Sequence, residues 1–528
     1  DRVDFFYNQS APLTNYFWHH DLTLRRVTRV IRTTQPEVFI GWTPTLHAGH
    51  GNHQEAGRLI WEGVQAASDP SMFPDQLRGP HSLSTWQVKK IFSGYPPPQG
   101  TGGSTTQPNC TTGFKPSNLD TVAGVWTGYD SPYTWPAGNT SGIAAGTPKI
   151  WQQVAAEGRS AYPTQSRVMY QDVAEPACPR FVMTDSFVPF QPNTRADGSV
   201  NPLAGNDQAL LYGAQVKDPG GLPLGTLEYL TFSSFYNVPG VAFQATVHLK
   251  SGSHRLRGGT VRLTVPPGWT TDGPKRVRHI STRRESTVTF TVTPSPSASV
   301  EQNAKISATL TAGGMTGHTD NIVRVVPPVE GRYHRWGKWA EYDSWLKDTA
   351  PAARRLGRSD AVASMGVGET TSIGVDVHNW SDASQTGEVS LDLPADLTAD
   401  SSAVAYGPLA PGATTTVHFT VTNTDTSLPA EPLVSVPITT TSDHPESSGS
   451  ETLSLSLVPN TAVPEASAKP TVDAQASPGE YDGPKLDIGR IWQGGSRCTG
   501  TADCGVSGTG DPDSSYGLVS WYDDALYF

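Results

Sequence analysis

From about residue 235 the chain alternates apolar and polar residues in short runs. That pattern builds strands with one buried face, not helices. Val241 to Leu249, Thr260 to Val265 and Thr287 to Val292 carry it, and Pro266-Pro267-Gly268-Trp269 marks a turn. The pattern returns in Ser372 to Val377, Gly387 to Leu393 and Thr414 to Val421, where Leu393-Pro394-Ala395-Asp396-Leu397 echoes the earlier turn. Residues 233–330 and 358–458 therefore read as two copies of one all-β sandwich type. Between them, residues 331–357 form an aromatic, basic connector with Trp336, Trp339 and Trp345, expected to be a packed inter-domain strut. Residues 459–478 are rich in Pro, Ala and Ser and read as a linker. Residues 479–528 read as a partial β domain. The sequence stops on Leu526-Tyr527-Phe528 within a strand pattern, so this domain is expected to be cut short or to continue in another chain.

Residues 1–232 have a different texture. Val3 to Tyr7 is a strand candidate, and Leu22 to Thr34 an amphipathic helix with Leu24, Val27, Val30 and Ile31 on one side. Arg25, Arg26, Arg29 and Arg32 lie mostly on the other side and are expected to face solvent. Gln35-Pro36 ends the helix, and Val38-Phe39-Ile40 is the next strand. Gly49-His50-Gly51-Asn52-His53-Gln54-Glu55 follows, with His47 just upstream. Asn52 is a plausible N-cap for a helix running to Val64. His53 would then share a sheet-facing side with Ala56, Gly57, Ile60 and Val64, at the carboxyl end of a parallel strand, where open α/β sheets bind ligands. Two histidines three residues apart in a Gly-rich loop suit metal or acid–base chemistry, but a tetrahedral zinc enzyme needs three protein ligands and an open position. Residues 67–147 are mostly loop and include Trp126-Thr127-Gly128-Tyr129-Asp130. Pro148 is expected to open a helix to Arg159.

The chain has 49 acidic and 38 basic residues, which argues against a nucleic-acid or membrane-surface binder. No apolar run approaches the length needed to span a bilayer. The sequence begins at Asp1 without Met or a signal peptide, so a removed leader or a processed N-terminus is expected. Cys498 and Cys504 flank a short loop and look like a local disulfide, while Cys110 and Cys178 can pair across the first domain. An even count with no Cys-x-x-Cys pair suits a secreted, disulfide-bearing protein better than a cysteine-zinc site.

Residues 1–190 resemble the LmbE-like family of zinc-dependent de-N-acetylases. The resemblance is carried by Asp1-Arg2-Val3-Asp4-Phe5-Phe6, Leu24 to Ile40, Gly49 to Gln54, Trp86-Gln87-Val88-Lys89-Lys90 with Ile91-Phe92, Thr127 to Asp130, and Trp151 to Gln165. It implies a Rossmann-like parallel α/β sheet whose N-terminal part lies upstream of Asp1. It also implies Zn2+ as cofactor, with His53 as metal ligand. His50 would be the catalytic residue facing the scissile carbonyl, and Asn52, Tyr129 and Asp130 would bind substrate. Asn52 stands where many relatives carry aspartate, and an amide can orient a neighbouring histidine but cannot raise its basicity as a carboxylate would. The family's first motif, Ala-His-Pro-Asp-Asp-Glu, supplies the other ligands and the general base, and it is absent from these 528 residues.

The two sandwiches resemble the immunoglobulin-like domains associated with α-galactosidases. Leu486-Asp487-Ile488-Gly489-Arg490, Trp492-Gln493-Gly494 and Trp521 to Phe528 resemble the first half of a family 9 type carbohydrate-binding module. Together these imply a multidomain protein, α/β and then all-β. Its expected activity is that of a secreted zinc hydrolase removing an N-acetyl or other N-acyl group from an amino sugar or glycoconjugate, its site completed by an associated upstream fragment. The alternative is a catalytically inactive glycan- or cell-wall-binding protein on a deacetylase scaffold.

Overall fold

The computed structural model describes residues 11–44, 51–80, 82–94, 110, 122–160, 175–193, most of 199–335, 340–349, 361–426, 433–443, 449–458, parts of 460–487, and 516–528. Val3 to Tyr7, His47, His50, Trp336, Trp339 and the Cys498/Cys504 loop lie outside the described residues.

The N-terminal region packs α1 (Ala11–Trp18), α2 (His20–Thr34) and α3 (Gly51–Ser68) beside a small sheet of β1 (Val38–Gly41), β2 (Lys90–Ser93), β3 (Val122–Gly124) and β6 (Arg180–Ser186), in the order β1-β2-β6-β3. Only β1 and β2 run parallel, joined through α3; β6 is antiparallel to both β2 and β3. The expected all-parallel sheet is thus a mixed one among the described strands. The β1–α3–β2 unit is a parallel crossover as expected, whereas β6 runs antiparallel to both of its neighbours.

Helix α2 buries Leu24 and Ile31, but Val30 is 59% exposed, because the apolar face is narrower than the sequence pattern suggests. Arg32 departs furthest from the solvated face expected for it. It is 1% exposed. Its Nη2 donates to the carbonyls of Ala66 and Asp69, each at 2.8 Å, and of Met72 at 2.9 Å. Its Nη1 reaches Phe73 O and Gln76 Oε1 at 3.3 Å. A planar fork of donors thereby satisfies carbonyls at the C-terminal turn of α3 and in the loop after it, where a helix leaves acceptors unpaired. Burial lowers the pKa of this guanidinium.

Further along, β4 (Asp130–Thr134) and β5 (Pro148–Ile150) form a hairpin followed by α4 (Trp151–Ser160). Pro148 therefore opens a short strand, and the helix starts at Trp151. Cys110 and Cys178 are disulfide-bonded, with Cα atoms 5.7 Å apart, and pack with Trp126.

Most of the remaining chain is β-sheet. A first pair of curled sheets combines β7 (Leu227–Phe232), β9 (Phe243–Lys250), β11 (Thr270–Thr271) and β13 (Ser286–Thr293) with β8 (Tyr236–Asn237), β10 (Leu256–Thr264), β12 (Lys275–Ile280), β14 (Gln302–Ala312) and β15 (Met315–Val325). Alternate residues of the two sheets meet in a core that includes Val247, Val261, Phe290, Ile306 and Leu310. Strand β7 pairs with β9 along its whole length, so the sandwich takes in residues before 233. A second pair of sheets spans Val329 to Val458, with Val375, Phe419, Ile438 and Leu455 in its core. Its first strand, Val329–Tyr333, overlaps the start of the expected connector.

Beyond Arg335, the connector's described residues form the helix Ala340–Asp348 and Thr349 after it. Tyr342 and Trp345 are buried in one core with Ile31, Trp61, Val64 and Ile91. Gln65 Nε2 also donates to Thr349 O at 2.5 Å. This segment fastens the second half of the chain to the outer side of α3. No helix among the described residues is long and apolar enough to cross a membrane.

Candidate functional site

Strand β1 ends at Gly41, and Trp42, Thr43 and Pro44 follow it. Helix α3 comes in close above them: a Cβ on Gly57 would lie 2.6 Å from Pro44 N and from Thr43 C. Only a residue without a side chain allows that approach. It places the first turn of α3 over the carboxyl end of β1, where the sequence put the site.

His53 lies in that first turn, half-buried. Its ring lies flat on the indole of Trp42, with centroids 3.8 Å apart and planes within 9°. A stacked imidazole directs both nitrogens along its own plane, away from the indole face. Trp42 is 38% exposed, so the stack borders solvent. Asn52 is not an N-cap, because α3 already begins at Gly51. Its Oδ1 accepts a hydrogen bond from Thr14 Oγ1 at 3.0 Å, which ties the helix start to α1. His50 lies outside the described residues.

The two residues that follow His53 on α3 are polar and buried. Gln54 and Glu55 are both 0% exposed. Burial pushes the Glu55 carboxyl up to about 8, against a smaller opposing pull from Arg58. Arg58 Nε donates to Glu62 Oε1 at 3.1 Å, and its guanidinium lies 5.2 Å from the Trp345 ring centroid. Glu62 also pairs with His20 Nε2, and that bond raises the imidazole to about 9. Sequence reasoning left His20 aside; the Arg58/Glu62 spacing of four residues on one helix was the available signal for this network.

Tyr129 and Asp130 sit on a different element, at the entrance to the β4–β5 hairpin. Tyr129 is 46% exposed, and its carbonyl accepts the Trp151 N–H at 3.1 Å. The structure therefore brings His53 together with Trp42 and Asn52 with Thr14, and places Tyr129 and Asp130 on the hairpin. Trp42 was missed although it directly follows the strand end, the position from which an α/β sheet presents ligand-contacting groups. Lys90 was also missed. It is 0% exposed on β2, its Nζ donates to Ala209 O at 3.0 Å, and burial lowers its pKa to about 7.

Among the described residues, no three His, Cys, Asp or Glu side chains are grouped so as to hold a metal ion. The described part of the His53 site offers one imidazole, which fits a single zinc ligand and not a complete tetrahedral set.

Comparison with known proteins adds two matches. Residues 238–311, within the first sandwich, match the NPCBM-associated, NEW3 domain of alpha-galactosidase. A stretch of 78 residues, 14% of this chain, is 32% identical to a 1D-myo-inositol 2-acetamido-2-deoxy-alpha-D-glucopyranoside deacetylase of Geodermatophilus obscurus. The matching stretch spans 24% of that relative's length. Among solved structures, red sea bream transglutaminase is 12% identical with a TM-score of 0.26, over 50% of this chain and 37% of that one. A trypsin-activated alpha-2-macroglobulin from Escherichia coli is 14% identical with a TM-score of 0.22, over 48% and 20%. Neither structural likeness carries a functional argument.

Proposed function

We propose that the protein is a secreted hydrolase that removes an N-acetyl or related N-acyl group from an amino sugar or glycoconjugate, with Zn2+ as cofactor. The observation that carries this reading is the 32% identity to a deacetylase acting on an acetamido sugar. The placement of His53 over the carboxyl end of β1 supports it.

In this reading His53 contributes one imidazole to the metal, and the flat contact with Trp42 fixes the ring so that a nitrogen points into the site. Zinc, when bound, supplies Lewis acidity toward the amide carbonyl. His50 faces the scissile carbonyl and stabilises the negative charge that develops on its oxygen. Asn52, held by Thr14, sets the start of α3 and with it the aim of His53. Tyr129 and Asp130 contribute to binding the sugar. This reading requires the remaining ligands and the general base to be supplied by an associated upstream fragment. The disulfide between Cys110 and Cys178 suits an oxidising compartment.

A second reading, a glycan-binding protein on an inactive deacetylase scaffold, is favoured by the absence of an Ala-His-Pro-Asp-Asp-Glu motif from the sequence. Acetate release from N-acetylated amino sugars by the full-length natural protein, compared with its His53→Ala variant, separates the two. Zinc-dependent release lost in the variant supports the hydrolase. No release from protein that binds glycans supports the scaffold.

A further inference from the structure

A cavity of about 180 Å³ opens between the β4–β5 hairpin and α4. Its lining includes Trp135, Thr140, Ser141, Lys149, Gln153 and Glu157. We propose that this cavity is a saccharide subsite that takes one uncharged pyranose residue of a glycan.

The volume lies below the roughly 300–1,000 Å³ of sites that enclose drug-sized ligands, so the occupant is about one ring in size. The lining chemistry narrows it further. Thr140, Ser141, Gln153 and Glu157 line it together with Trp135, so the wall is mostly polar beside one indole-bearing residue. An apolar ligand would strip these groups of water without replacing their hydrogen bonds. A ligand carrying several hydroxyls replaces them, since each hydroxyl both donates and accepts.

Charge excludes the other polar classes. Lys149 Nζ already pairs with Glu157 Oε2 at 2.7 Å and lies 4.9 Å from the Trp135 ring centroid. An anion would have to face Glu157, and a cation would have to displace Lys149. A neutral polyol leaves the pair intact and bonds to its outer edges.

The cavity is held in shape before any ligand arrives. Asn139 Nδ2 donates to Pro136 O at 2.9 Å and to Ile143 O at 2.7 Å, and its Oδ1 accepts from Ile143 N at 3.1 Å. Trp135 N donates to Thr147 O at 2.9 Å, and Gly146 N returns a bond to Trp135 O at 3.0 Å. Gln153 Oε1 accepts from Ile150 N at 3.0 Å, which anchors the amide at the mouth of the site. Preorganisation of this kind lowers the entropic cost of binding. The same hairpin and helix expose Tyr133 and Trp151, rings of the kind that cover sugar faces in a longer glycan.

The proposal rests on the glycan-directed reading of the chain only for the choice of probes, and its test needs neither metal nor turnover. Binding of N-acetylchitotetraose and of cellotetraose to the full chain is measured by titration calorimetry in the presence of a chelator. At least one should bind saturably. Glu157→Gln and Gln153→Ala should each weaken that binding about tenfold or more, as loss of a hydrogen bond to a charged or anchored group does. Thr140→Trp, which fills the cavity from an exposed position, should abolish it with its own thermal unfolding unchanged. Binding of neither oligosaccharide, or binding that survives Thr140→Trp, overturns the proposal. Failure of the hydrolase reading would instead show as intact binding without acetate release.

Discussion

The indole of Trp42 and the imidazole of His53 lie face to face, 3.8 Å apart and 9° from parallel. One ring directly follows a parallel strand and the other lies in the first turn of the helix that returns over it. The contact therefore fixes the orientation of the histidine through the backbone of both elements.

Trp42→Ala should loosen His53 without removing it. If His53 is a zinc ligand, metal affinity should fall by roughly 10- to 100-fold, as when an orienting neighbour of a ligand is lost. Trp42→Phe should recover part of that loss. Competition with a chromophoric chelator on the full-length natural protein reads the affinity, and equal affinities in all three proteins would refute the role given to the stack.

Trp345 ties the connector to α3. It is buried, and the Arg58 guanidinium lies over its ring. Trp345→Ala should cost about 3–5 kcal/mol in the unit it packs against, and part of a cation–π contact with it. Calorimetry should show the N-terminal transition moving down while the β-sheet transitions stay in place. A single unshifted transition would mean that the helix Ala340–Asp348 contributes nothing to holding the units together.

Glu228 gives the first sandwich a pH dependence of known sign. It is 0% exposed, and burial raises its carboxyl from 4.5 to about 8, with the Leu310 backbone amide offsetting part of the rise. The folded state then holds a proton that the unfolded state releases between pH 4.5 and 8. Stability is full below about 4.5 and declines as pH rises through that window, by about 3–5 kcal/mol at most. Glu228→Gln, neutral at every pH, should flatten this slope and melt higher than the parent at pH 8. Parallel melting curves against pH for the two proteins would contradict it.

The disulfide closes a loop across a sequence separation of 68 residues that contains β3, the β4–β5 hairpin and α4. Reduction, or the double change Cys110→Ala with Cys178→Ala, should cost roughly 4 kcal/mol through chain entropy. Saccharide binding at the hairpin should weaken with it. Thermal melts with and without reductant check the first part, and unchanged melts would show that the hairpin is held by its other contacts.

The β-sheet half of the fold was legible because alternation of apolar and polar residues follows directly from the two faces of a strand. Val241 to Leu249 maps onto Phe243–Lys250, and Thr414 to Val421 onto Thr414–Asn423, each within a residue or two. The α2–β1–α3 order was legible for the same reason, through its helical and strand periods. Arg32 was not, because a buried guanidinium satisfied by distant carbonyls has the sequence appearance of a solvated one. Pro148 was misread because a proline can begin a short strand as readily as a helix. The antiparallel β6 could not be read from local pattern, since strand direction depends on partners far away in sequence. The place of His53 in the first turn of a helix was legible from its spacing and loop, whereas its contact with Trp42 and the hairpin cavity depend on contacts that only the folded chain shows.

The proposed place of His53 in a zinc centre that removes acyl groups from amino sugars can be tested directly. The direct measurement is zinc content and acetate release, made together on the full-length natural protein and its His53→Ala variant. The parent should hold zinc and release acetate from an N-acetylated amino sugar, and the variant should lose both. Undiminished zinc and undiminished release in the variant would contradict it.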